Sequence, residues 1–91
     1  MLQLDLTILN ETGMHARPAA LFVKRASEFT SEIQIRNVSI YSDWVNAKSI
    51  LGVLSLGIEK GHQIQLSLSG SDEGLAAESI SHLITKELCT G

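Results

Sequence analysis

Three stretches of the chain alternate apolar and polar residues one by one, and this constrains the fold more than any other feature. Leu2, Leu4, Leu6 and Ile8 are separated by Gln3, Asp5 and Thr7; Ile33 and Ile35 sit within Glu32–Arg36; Ile64, Leu66 and Leu68 sit within His62–Ser69. Successive side chains of a strand point to opposite faces, so each stretch is apolar on one face only. Strands are expected over 2–9, 32–36 and 62–69. A sheet built from them needs a cover on its apolar face and tolerates water on the other.

Between these stretches the apolar spacing changes to three and four. Ala19, Phe22, Val23, Ala26 and Phe29 predict a helix over 16–29, with Pro18 in the first turn, where a missing N–H is tolerated. Ser49 precedes Ile50-Leu-Gly-Val-Leu-Ser-Leu56, which periodicity alone admits as a buried strand or a short helix. We read a helix with Ser49 as N-cap and a stop at Gly57 or Gly61. Ser71 or Asp72 caps a last helix whose stripe is Ala76, Ile80, Leu83, Ile84 and Leu88. Val38–Val45 is β-branched and aromatic, and is expected as the hairpin partner of 32–36 through a turn near Asn37. The expected order is β-α-β-β-α-β-α, an α+β fold with the helices on one side of the sheet.

Ninety-one residues leave room for one domain, 1–91. Hydrophobic residues make up 44% and charged residues 19%, a balance that excludes disorder and low-complexity sequence. A formal charge of −3 is the wrong sign for a domain that gains affinity by displacing phosphate counterions, so no nucleic-acid partner is expected. The single cysteine, Cys89, allows neither an intrachain disulfide nor a thiol pair for zinc. The start of the chain lacks a basic-then-apolar leader, and the longest nearly apolar run, 50–58, is far below the ~20 residues of a spanning helix. A cytoplasmic protein without membrane insertion is expected.

The chemistry concentrates in Thr12-Gly-Met-His-Ala-Arg-Pro18, between the first strand and the first helix. Free amides of a helix's first turn make an anion site. His15 stands at that mouth, and an imidazole nitrogen can carry a phosphoryl group covalently. Arg17 can pair with phosphoryl oxygens, and Gly13 permits a sharp backbone path. The residues alone leave His15 open to being an ordinary loop histidine and Arg17 a solvated charge. Ser49 is open in the same way: a phosphate there would sit at a positive helix end, while capping is the commoner task for such a serine.

Other features carry less. Gly52-Val-Leu-Ser-Leu-Gly57 imitates P-loop glycine spacing, but Ile58 stands in place of the lysine. His15, His62 and His82 lack ligand spacing, so no metal is expected, and His62 and His82 read as surface residues. Ile50, Leu51 and Leu54 either pack inward or leave an apolar docking surface near His15. Trp44 reads as a strand-packing residue rather than an interface anchor. Lys24 and Arg25 read as solvated charges or contacts for an acidic partner.

Gly13-Met-His-Ala-Arg-Pro-Ala-Ala20, followed by Ala47-Lys-Ser-Ile-Leu-Gly-Val-Leu-Ser-Leu-Gly57, closely resembles the HPr family of histidine-containing phosphocarriers of the phosphoenolpyruvate-dependent sugar phosphotransferase system. The resemblance spans essentially the whole chain. It implies an open-faced β-sandwich with a four-stranded antiparallel sheet of order 1-4-2-3 and three helices on one face. It also implies a stoichiometric carrier rather than an enzyme, needing no cofactor. His15 would accept the phosphoryl group on Nδ1 from enzyme I, Arg17 would stabilise it, and IIA components of sugar permeases would receive it. Thr12, Gly13, Ala16, Pro18, Ala20, Lys24, Ile50, Leu51 and Leu54 are the expected binding residues. Ser49 matches the serine modified by HPr kinase/phosphorylase, which lowers carrier activity and promotes binding to a catabolite-control regulator. The segment Asn37–Lys48 departs from the family pattern in its extra length and in Trp44. A protein acting mainly through Ser49 is the alternative reading, and a small-ligand module a third. A monomer is expected, since no long apolar edge or heptad seam suggests assembly.

Overall fold

The alternating stretches become strands that pair so that their apolar residues line up in rows. A computed structural model describes residues 1–88, with β1 (Leu2–Thr7), α1 (Ala16–Ser27), β2 (Glu32–Asn37), β3 (Val45–Asn46), α2 (Ile50–Ser55), β4 (Gln63–Ser69) and α3 (Glu73–His82). Cys89 lies outside the described residues. The strands form one antiparallel sheet of order β1-β4-β2-β3, as the resemblance implied. Leu4, Leu66, Ile35 and Val45 form one row across it, and Leu2, Leu68 and Ile33 another. Ile33, Ile35, Ile64, Leu66 and Leu68 are buried on this face.

The opposite face carries a polar row. Gln65 donates to Asp5 at 3.0 Å, Arg36 donates to Gln65 at 2.9 Å, and the Arg36 guanidinium lies 4.8 Å from the centre of the Trp44 ring. Trp44 therefore packs on the sheet, in agreement with the reading from its sequence neighbours. All three helices cover the apolar face, with Phe22, Val53 and Ile80 in the common core. Among the described residues no helix is long and apolar enough to cross a membrane, and no group of three or more acidic, His or Cys side chains is placed to hold a metal.

The third strand is much shorter than expected. Val38–Ile40 forms a 3-10 turn closed by Tyr41 in the left-handed region (φ 54), and only Val45–Asn46 pairs with β2. Asn37 is the cause. Its Oδ1 accepts the Ser39 N–H, while its backbone N–H donates to Ser42 Oγ, so the ladder gives way to a capped turn. Asn37 also ends the third cross-strand row, Leu6–Ile64–Asn37, fully buried where an apolar residue would be expected. Burial is tolerated because its Nδ2 donates to Leu56 O (3.2 Å) and His62 Nδ1 (3.0 Å).

β1 ends at Thr7 rather than residue 9, and β4 starts at Gln63 rather than His62, which are fraying differences. α2 is the short helix read from the sequence, capped by Ser49 and followed by Gly57 at φ +55. Asp72 stands at the start of α3 but does not cap it. Its carboxylate instead accepts from Thr30 N, Ser31 N and Ser31 Oγ, clasping the α1–β2 turn. After His82 the last helix widens into one π turn, Leu83–Glu87.

Candidate functional site

Two loops meet where β1 ends and β4 begins. Ile8 N–H donates to His62 O at 2.9 Å, Gly61 N–H donates to Ile8 O at 2.7 Å, and Met14 N–H donates to Ile58 O at 2.9 Å. Gly13 lies at this crossing with φ +61, where a Cβ would fall 2.8 Å from Glu59 Cα and closer still to Ile58 O. Only glycine fits both the left-handed backbone and the contact. Gly13 was expected as a binding residue. It is buried, and its N–H and carbonyl are both used by Asn10, so its task is to bring the loops together.

With the Met14 side chain buried, the extended backbone of His15 (φ −112, ψ 153) turns the next side chain outward at the start of α1. The imidazole makes no capping hydrogen bond to the helix. Its side chain is 45% exposed, and Nε2 lies 3.7 Å from Glu59 Oε1, an electrostatic contact longer than a hydrogen bond. Ala16 follows at φ +49, a left-handed conformation that costs a residue with a Cβ about 1–2 kcal/mol. Regular helix therefore starts at Arg17, and Pro18, half-buried, falls in the first turn. Arg17 is exposed and makes no hydrogen bond or ion pair among the described residues. The site thus combines a partly exposed imidazole that caps nothing and faces Glu59, a guanidinium unpaired among the described residues, and a helix start open to solvent.

α1 and α2 pack against one another. The former exposes Ala16, Arg17, Ala20, Leu21 and Lys24, and the latter exposes Ile50 (39%), Leu51 (77%) and Leu54 (38%). These apolar residues are left outward because Val53 alone fills the buried side of α2. Thr12 is exposed on the loop before His15. Ser49 Oγ accepts the Gly52 N–H at 3.2 Å, which is the capping role.

Two expectations change. Arg25 is neither solvated nor free for a partner: it donates to Ser79 Oγ (3.1 Å) and Glu87 (2.9 Å), tying α1 to the end of the last helix. Its guanidinium is held further above its usual range by that hydrogen bond with Glu87. His62 is half-buried, not a plain surface residue, and its Nδ1 accepts from Asn37 Nδ2 and from the Glu59 N–H at 3.1 Å. His82 is exposed as expected, 3.1 Å from Glu87. The sequence reading passed over Asn10 and Glu59, and took Asn37 only as the place of a turn. An asparagine before a Thr-Gly pair is a turn signal that could have revealed Asn10, whereas nothing local marks Glu59.

Comparison with known proteins supplies what geometry alone does not. Residues 2–86 match the family model described as the PTS HPr component phosphorylation site. The solved structure of HPr-C-His from Thermoanaerobacter tengcongensis is 43% identical with a TM-score of 0.90, over 97% of this chain and 96% of that one. Phosphocarrier protein HPr from Bacillus anthracis is 37% identical with a TM-score of 0.85, over 92% and 96%. Crh, the Bacillus subtilis catabolite repression containing protein, described as a swapped dimer, is 38% identical with a TM-score of 0.72, over 96% and 97%. A match over nearly the whole length, with His15 outward at the start of the first helix, leads to one conclusion: the chain belongs to the HPr family of phosphocarriers of the phosphotransferase system.

Proposed function

We propose that this protein is a stoichiometric cytoplasmic phosphoryl carrier in which His15 accepts the group from phosphorylated enzyme I and passes it to IIA components of sugar permeases. The observation that carries this reading is the partly exposed His15 imidazole, making no capping bond at the start of α1, with Arg17 close by in sequence and unpaired among the described residues. The Nδ1 lone pair attacks phosphorus, the donor's P–N bond breaks, and its electron pair returns to the donor nitrogen. Arg17 and the first-turn amides then face the transferred oxygens. An open site suits a carrier, because holding the phosphohistidine too tightly would raise the barrier to the next transfer. The exposed residues of α1 and α2, with Thr12, Lys24, Ile50, Leu51 and Leu54, form the docking surface for both partners, and the working form is a monomer.

Incubation with phosphoenolpyruvate and catalytic enzyme I, followed by intact mass spectrometry at neutral-to-basic pH, tests this. One acid-labile phosphoryl group is expected on the wild type and none on His15→Ala; a labelled His15→Ala chain would sink the reading. A second reading, regulation through Ser49 by HPr kinase/phosphorylase and a catabolite-control regulator, is favoured by the partly exposed Ser49 cap and by the similarity to Crh. Kinase-treated wild type, but not Ser49→Ala, should then bind the regulator.

A further inference from the structure

The carboxylate beside His15 comes from a distant part of the chain and is held there by a second histidine. Glu59 Oε1 faces Nε2 of His15 at 3.7 Å. The Glu59 N–H donates to Nδ1 of His62 at 3.1 Å, and that nitrogen also accepts from buried Asn37 at 3.0 Å. A nitrogen receiving two N–H donors carries no proton, so His62 is the Nε2–H tautomer. Lys60, the adjacent cation, is taken by Glu11 at 2.6 Å across the same two loops and does not draw the Glu59 carboxylate away. Gly61, Ile58 and Met14 fix the crossing through the backbone.

We propose that Glu59, held in place by His62, is a positioning residue for His15: it keeps the proton on Nε2, directs the phosphoryl group to Nδ1, and stabilises the cationic phosphohistidine from which that group leaves. This rests on the reading of His15 as phosphoryl acceptor. Attack by Nδ1 of a neutral ring forms the N–P bond and leaves the ring with a positive charge, its proton still on Nε2. Glu59 is the carboxylate nearest that charge among the described residues. On departure the N–P electron pair returns to Nδ1 and the ring is again neutral imidazole. Without the Nε2 proton the leaving group would be an imidazolate anion, a far poorer one. A carboxylate against the non-reacting nitrogen therefore favours both the reacting tautomer and the onward step, as in hydrolase triads. Because the pair is exposed, the effect is modest, about two- to five-fold.

Phosphoramidate, a small-molecule donor that phosphorylates imidazoles without an enzyme, separates this proposal from the carrier reading. Wild type and Glu59→Gln are labelled, the bonded nitrogen is identified by NMR, and the half-life of the phosphoryl group is followed at neutral pH. Glu59 is 68% exposed, so the variant keeps the fold. The wild type is expected to show about two- to five-fold more Nδ1 over Nε2 product than Glu59→Gln and a half-life shorter by a similar factor. Both differences should collapse near ~1 M salt, where the screening length is ~3 Å. His62→Asn, which retains an acceptor at the Nδ1 position, should match the wild type, and His62→Leu should match Glu59→Gln. Equal product ratios and equal half-lives in wild type and Glu59→Gln overturn the proposal. A chain that phosphoramidate labels on His15 but enzyme I does not would sink the carrier reading instead, and the Glu59 comparison would still be decided.

Discussion

At the scale of single residues, the site is made by what its side chains leave undone. Arg17 spends none of its donors on the described residues, so on the proposed reading a phosphoryl group on His15 would meet a guanidinium that need not break an existing bond. Arg17→Ala should lower the rate of phosphoryl acceptance from enzyme I by about ten-fold, in the range of a charge-assisted hydrogen bond, while leaving the unfolding midpoint unchanged. Stopped-flow transfer and urea unfolding read the two quantities, and a loss of stability of matching size would assign Arg17 to the fold instead. Ala16 makes the opposite case, since its φ of +49 costs stability where it stands. Ala16→Gly should stabilise the protein by about 0.5–1 kcal/mol, the relief of left-handed strain less the added freedom of glycine in the unfolded chain. Calorimetry checks this, and no gain would mean that the loop holds φ without strain. His15 and Arg17 stood out as candidates by residue type and by standing before a helical stripe, while their expected roles came from the resemblance to the HPr family. Ala16 gave no sign, because a residue with a Cβ is not expected at positive φ, and Glu59 gave none because its partner lies far along the chain.

At the scale of elements, periodicity succeeded where one face is buried and failed where a side chain competes with the backbone. β2 and β4 followed from strict alternation, and α1 from its three-four stripe, since each buries one side only. The segment 38–44 looked like a strand by composition, yet Asn37 and Ser42 offered local partners to the amides that would have formed the ladder. α2 was ambiguous by periodicity and was settled by its N-cap. Ser49→Ala removes the acceptor for the Gly52 N–H and should destabilise the protein by about 1 kcal/mol. Ser49→Asp, which still accepts that bond, should recover most of the loss in urea unfolding; failure to recover would mean that Ser49 acts through packing. Gly13 joins two elements rather than belonging to one. Gly13→Ala should cost about 2–4 kcal/mol, combining a left-handed alanine with overpacking against the backbone at Ile58 and Glu59. A loss below 1 kcal/mol would show that the two loops separate easily, and transfer at His15 should then survive the change.

At the scale of the whole molecule, helices and sheet are tied together by carboxylates as well as by the core. Asp72, at the start of α3, accepts from the turn that links α1 to β2, and its carboxyl is lowered to about 2 from 3.8, first by the Ser31 hydroxyl and then by the Thr30 N–H. Glu87, at the far end of the same helical segment, is also lowered, chiefly by its hydrogen bond from Arg25 on α1. The folded state therefore holds these protons less readily than the unfolded chain does, so their contribution is fully present above the unfolded carboxylate range. It is lost as pH falls from about 3.8 toward about 2 for Asp72. Urea midpoints measured between pH 7 and pH 2 should fall steeply in that window for the wild type. Asp72→Asn retains an acceptor without a titrating proton, so its curve should start lower at pH 7 and run flatter through the same window. Arg25→Gln, which weakens the second clasp, should leave the Asp72 part of the slope intact, because the two clasps share no partner. Parallel curves for wild type and Asp72→Asn would mean that acid unfolding starts elsewhere. If the slopes instead separate as expected, the helical layer is anchored to the sheet at the end of α1, away from the start of that helix, where His15 faces the exposed Glu59 carboxylate at 3.7 Å.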